Sequence, residues 1–128
     1  MKYKFILLLI VILGLSAFFI FNISKKTQIS KSCPKINAVS QTVIMNKDSF
    51  EPETLTIQKC TKVVFENQDK VSRWPASNLH PTHGIYPEFD PLQPVEPGSD
   101  WSFVFDKVGS WRYHDHLAPS TRGTVIVE

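Results

Sequence analysis

Glu53-Thr54-Leu55-Thr56-Ile57-Gln58, a Lys59-Cys60-Thr61 turn and Lys62-Val63-Val64-Phe65-Glu66 form the stretch that decides the fold. Its apolar positions alternate with polar ones instead of recurring every 3.6 residues, and they are rich in β-branched and aromatic side chains. Two half-buried strands joined by a tight connection follow from that period. The pattern continues outward in both directions. Thr42-Val43-Ile44-Met45 precedes it. Trp101-Ser102-Phe103-Val104-Phe105, Ser110-Trp111-Arg112-Tyr113-His114 and Gly123-Thr124-Val125-Ile126-Val127 come after it, the first two joined across an Asp106-Lys107-Val108-Gly109 turn. No ten-residue window after position 42 reads as an amphipathic helix. The expectation is an all-β sandwich with Leu55/Ile57, Val63/Phe65, Phe103/Phe105 and Trp111/Tyr113 facing inward.

Between Asn67 and Gly98 the alternation stops. Six prolines, at 75, 81, 87, 91, 94 and 97, fall in this stretch. A connection of that length inside a compact domain is functional or disordered, and its aromatic residues Trp74, Tyr86 and Phe89 argue for order. It is expected to pack over one end of the sandwich, with a short strand near Gly84 to Tyr86.

Upstream, Phe5 to Ile23 reads FILLLIVILGLSAFFIFNI, nineteen residues without a charge. At about 1.5 Å per residue such a helix matches a bilayer core, so residues 1–24 are expected to be a membrane anchor, with a cleaved signal peptide as the alternative. Residues 25–41 form a polar tether and 42–128 the folded domain. The net charge of +2 hides a segregation: six lysines and no acid lie in the first 35 residues. The remainder carries eight basic residues against twelve acids. With no basic stripe in the domain, nucleic acid is not an expected partner.

All four histidines fall in two clusters, Leu79-His80-Pro81-Thr82-His83 and Tyr113-His114-Asp115-His116-Leu117. Imidazole is the commonest nitrogen ligand of zinc, copper, iron and nickel, and a site requires several converging from different segments. Either cluster alone would be an ordinary solvated pair; the two together point to a metal centre. No Ser/His/Asp order, glycine-rich phosphate loop or readable carboxylate pair supports hydrolysis or phosphoryl transfer.

The stretch from Gly109 to Val127, with its turn, strand and terminal G-x-V-x-V pattern, resembles the copper loop of cupredoxins, particularly the short-loop amicyanin type. Leu55 to Asn67, followed by His80 and His83, resembles their strand pair and first-histidine region. Across residues 42–128 this implies a Greek-key β-sandwich, cupredoxin-like, with a metal site between loops at one end. The departures are in the donors. His80 takes a ligand histidine's place, but Asp115 stands where the cysteine would be, Ala118 where the second histidine would be and Thr121 where the methionine would be. A blue centre requires the thiolate, so none is expected.

Tyr113-His114-Asp115-His116 is also similar to the W-Y-H-x-H motif of multicopper oxidases, whose larger cluster one domain of this size cannot complete. The expected metal residues are therefore His80, His83, His114 and His116, with Asp115 as a ligand or a hydrogen-bond acceptor behind them. On a regular strand Asp115 points opposite to His114 and His116, so both sets cannot face one pocket unless the loop bends. Glu88 and Asp90 are further candidate oxygen ligands, and Trp74 to Asn78 a candidate wall, each with plain surface or packing roles as the alternative.

Copper is the expected ion, zinc its rival. The expected function is a copper-binding protein that holds or passes on the ion, or accepts electrons. Its partners are the metal ion, the membrane and a copper donor, acceptor or redox protein. A small copper-dependent oxidase and a metal-free interaction module are the alternatives. Lysines flank both sides of the apolar segment, so charge does not set its orientation. The resemblance implies a domain outside the cytoplasm, on the periplasmic or extracellular side. There the two cysteines fit a Cys33–Cys60 disulfide, two free thiols being the other possibility.

Overall fold

A computed structural model describes Cys33, Asn37 and residues 39–128. Eight strands make up the domain: β1 (Gln41–Met45), β2 (Phe50–Glu51), β3 (Thr54–Ile57), β4 (Thr61–Asn67), β5 (Pro75–Ser77), β6 (Asp100–Phe105), β7 (Gly109–Asp115) and β8 (Ala118–Val127). They form two four-stranded sheets ordered β2-β1-β4-β6 and β3-β8-β7-β5. The pairs β1/β4 and β3/β8 are parallel, the others antiparallel. Parallel neighbours cannot be joined by a hairpin, so the chain crosses between the sheets instead of meandering through one.

The alternation that predicts the strands also fills the space between them. In β4 every second residue is buried, Val63 and Phe65 completely, and they meet Val43, Met45, Phe105, Tyr113, Val125 and Val127 in one core. Leu55, Phe103 and Trp111, expected inward, are only partly buried against it. Leu55 and Phe103 lie on the edge strands β3 and β6. At the edge the core is closed by the proline-rich connection. Its Phe89 ring contacts Phe65, Trp101, Phe103, Phe105 and Tyr113 at centroid distances of 5.0 to 5.8 Å. Burying a phenylalanine of this kind contributes about 1.5–3 kcal/mol, which is why the connection is ordered.

Three local expectations are corrected. The short strand falls at Pro75–Ser77 and not near Gly84 to Tyr86, which is turn. Pro75 lies on an edge strand, where its missing N–H leaves no ladder bond broken. Phe50–Glu51 adds a two-residue strand, and β8 begins at Ala118, five residues before the expected start.

Cys33 and Cys60 are joined as a disulfide across 27 residues, a closure of about 3–4 kcal/mol in the chain-entropy account. Asn37 continues the attachment, donating its N–H to Cys60 O at 3.0 Å and its side-chain amide to Lys59 O and Thr61 Oγ1. The apolar run Phe5 to Ile23, and with it the expected anchor, lies outside the described residues. Among the described residues no helix is long and apolar enough to cross a membrane.

Candidate metal centre

The site is assembled at the end of β7 and on the turn that follows β5. Along β7 successive side chains alternate between faces. Tyr113 enters the core, His114 points to the other side of the sheet, and Asp115 returns inward. A register irregularity between His114 and Asp115 ends the regular ladder, and the His116 N–H donates to Trp74 O at 2.8 Å. On the facing segment, Ser77 Oγ donates to His83 O, the Ile85 N–H to Asn78 O and the Asn78 N–H to Arg112 O, at 2.7, 2.7 and 3.0 Å. These bonds fold residues 78–85 over the His114 side of β7. His83 takes a left-handed φ of 51°, a conformation in which histidine is enriched over most non-glycine residues.

Each of His80, His83, His114 and His116 then offers one ring nitrogen, and the four atoms lie within 4.8 Å of one another. His80 Nδ1 is 3.2 Å from His114 Nε2, and His83 Nε2 is 2.9 Å from His116 Nδ1. Such a group could hold a metal ion. His83 and His114 are buried, His116 is half-buried and His80 is exposed, so the cluster opens to solvent on the His80 side.

Two imidazoles are fixed from behind. His114 Nδ1 lies 3.0 Å from Asn78 Oδ1, and His83 Nδ1 lies 2.6 Å from Asp90 Oδ2. Asp90 Oδ1 accepts the Trp74 indole N–H and the Leu92 N–H, both at 2.8 Å. Burial alone would raise the Asp90 carboxyl, but bonds from the Leu92 N–H, Trp74 and His83 hold it below the usual carboxylate range. Trp74 walls the site as well, its ring centroid 4.7 Å from that of His116.

Crowded imidazoles resist protonation. His114 is pushed down to about 4, first by burial and then by the positive charge that His83, His80 and His116 would carry. His116 is lowered as well, first by burial and then by His83 and His80, against the opposing pull of Asp90 and Asp115. Metal ligation requires an imidazole without that added proton, and the lowered His114 and His116 meet this requirement.

Asp115 is not one of the group. It is fully buried on the opposite face, where Oδ2 accepts Arg73 Nη1–H at 2.8 Å and Oδ1 accepts the Trp74 and Leu117 N–H groups at 3.0 Å. Arg73 in turn is bound by Asp69 and by Lys47 O. The alternation of β7 therefore assigns the histidine pair to one pocket and Asp115 to an ion-pair network beneath it. Of the two other candidate carboxylates, Asp90 stands behind His83 and does not face the cluster. Glu88 is exposed and pairs with Lys107 at 3.0 Å. Sequence reasoning did not single out Asp69 or Arg73, and it read Asn78 as wall and not as the hydrogen-bond partner of His114. The cue available was a buried-type carboxylate between two histidines, which requires a cation nearby.

The sequence profile of the cupredoxin-like domain matches residues 11–127. The chain belongs to the cupredoxin-like family. Among solved structures it is similar to a purple cupredoxin from Nitrosopumilus maritimus, at 24% identity and a TM-score of 0.61, covering 70% of this chain and 100% of that one. It is also similar to an oxidized methionine-to-leucine mutant of amicyanin, at 22% and 0.60, covering 70% and 82%. A Cu(I) methionine-to-alanine mutant of amicyanin matches at 21% and 0.59, covering 70% and 82%. At such identity the likeness concerns the fold. No curated protein sequence matches the chain significantly.

Within this cupredoxin-like domain the donor set is all nitrogen. Cys33 and Cys60 are bonded to each other, and Met45 is buried in the core. Among the described residues, therefore, no thiolate or thioether is available to the cluster.

Proposed function

We propose that this protein binds copper through His80, His83, His114 and His116, and that it holds or passes on the ion. The observation that carries the reading is the convergence of four ring nitrogens from two segments more than thirty residues apart. Four imidazoles suit Cu(II), the strongest-bound divalent ion of the first-row series, with zinc the rival by the same donor chemistry. Bound there, copper would supply a one-electron redox couple. The chain's own contribution is to hold four imidazoles together, with His114 and His116 kept from protonating by burial and by their neighbours. The absence of a thiolate donor and the solvent-facing His80 favour exchange of the ion over fast electron transfer.

The apolar run Phe5 to Ile23 supports attachment of the domain to a membrane. The Cys33–Cys60 disulfide supports placing it on the oxidising, extracytoplasmic side. A copper donor or acceptor, or a redox protein, is the partner this placement calls for.

The test is metal analysis of protein prepared without an affinity histidine tag, followed by Cu(II) titration. One tightly bound equivalent is expected, with a pale d–d spectrum lacking the intense band of a copper thiolate. Zinc bound in preference to copper would move the assignment to the rival ion. No metal bound at all would leave the sandwich as an interaction module.

A further inference from the structure

Resting on the copper reading, we infer that Asp90 is a positioning residue that keeps the proton of His83 on Nδ1, so that the Nε2 lone pair faces the other imidazoles. An ionised carboxylate only accepts hydrogen bonds, and a neutral imidazole carries one N–H. With Asp90 Oδ2 at 2.6 Å from His83 Nδ1, the proton between them belongs to the ring. Nε2 is then an acceptor, and its 2.9 Å neighbour His116 Nδ1 carries the hydrogen of that contact in the metal-free protein.

Asn78 cannot fix His114 in this way, because an amide presents either an acceptor or a donor by turning over. Asp90 has no such freedom. Its other oxygen is held by two donors, the Trp74 indole N–H and the Leu92 N–H. Trp74 also packs on His116. One carboxylate thus couples the tautomer of His83 to the wall behind His116. Partners of this kind typically change metal affinity about 10–100-fold.

The arrangement makes the isosteric change informative. In Asp90→Asn the single carbonyl oxygen is claimed by Trp74 and Leu92, so the amide NH2 is turned toward His83 Nδ1. Nδ1 becomes an acceptor, the proton moves to Nε2, and the ligand atom is blocked. Asp90→Glu keeps a carboxylate and with it the original tautomer.

The experiment is 15N NMR of the imidazoles in the metal-free wild type and both variants, with Cu(II) titration of each. Expected are an Nδ1–H tautomer for His83 in the wild type and in Asp90→Glu, and an Nε2–H tautomer in Asp90→Asn. The asparagine variant should bind Cu(II) about 10–100-fold more weakly. An Nε2–H tautomer in the wild type overturns the inference without any variant. So does an unchanged tautomer in Asp90→Asn, or an inverted one with undiminished affinity. A wild type that binds no copper overturns the copper reading instead, while the metal-free tautomers still decide the role of Asp90.

Discussion

Arg73 Nη1 lies 2.8 Å from Asp115 Oδ2, on the face of β7 opposite His114. Both side chains are nearly inaccessible, at 7% and 0%. A buried pair of this kind is weak evidence of net stability, but breaking it leaves an uncompensated charge. Asp115→Ala would also orphan the Trp74 and Leu117 N–H groups. We expect a loss of about 3–5 kcal/mol in denaturant unfolding. A loss under about 1 kcal/mol would mean that Asp69 alone satisfies Arg73.

Tyr113 and Gly123 face each other across β7 and β8. A Cβ at residue 123 would sit 2.4 Å from the Tyr113 hydroxyl oxygen. That hydroxyl is buried and has no hydrogen-bond partner among the described residues. Gly123→Ala should therefore cost about 1–3 kcal/mol. Tyr113→Phe should be close to neutral, because it removes an unsatisfied polar group. The Cβ would meet Tyr113 Cζ at 2.4 Å as well, and phenylalanine keeps that atom, so combining the two should recover little of the alanine cost. Melting shifts far short of additive would show that the hydroxyl dominates the clash.

His80 and His114 are 34 positions apart and 3.2 Å apart in space. If one ion is shared, His80→Ala should weaken copper binding comparably to His114→Ala, and the double variant should lose less than the two free-energy changes added together. Independent sites would give additive losses. Copper titration of the four proteins at fixed pH distinguishes the cases.

The metal-free protein should lose stability on acidification. His114 takes up a proton near 6.5 when unfolded but only at about 4 when folded. Between those values the unfolded chain binds more protons, so stability is greatest above 6.5 and falls as the pH drops toward 4. Melting temperatures from pH 7.5 to 5 should show this slope, and His114→Gln should flatten it. An identical slope in the variant would assign the effect to other groups.

The strands that build the core were legible because burial on one face leaves a two-residue period, and β3, β4, β6 and β7 carry it. Pro75–Ser77 is buried throughout and contains a proline, so no alternation marks it. Ala118 to Arg122 begin β8 without an apolar period, which hid its first half. The four histidines were legible as ligand-type residues by their grouping alone. That Asp115 would point opposite to the histidine pair followed from strand alternation; that the ladder breaks after His114 and still leaves His116 beside His83 is not encoded in residue types. Asp90 read as a candidate ligand because carboxylates ligate metals. Its placement on the far nitrogen of His83 is set by two donors, Trp74 and Leu92, that a one-dimensional reading cannot bring beside it.

The disulfide has a geometric consequence for where the chain enters the domain. Cys60 precedes the first residue of β4 and donates to Phe105 O, the last residue of β6, whereas β7 ends at Asp115 beside the imidazoles. The covalent leash thus enters at one pole of the sandwich and the histidines occupy the other, roughly one strand length of 20–25 Å away. The point of covalent attachment at Cys33 therefore lies at the pole away from the imidazoles. The exposed His80 side of the cluster lies away from that attachment point, so the disulfide leaves the imidazoles uncovered.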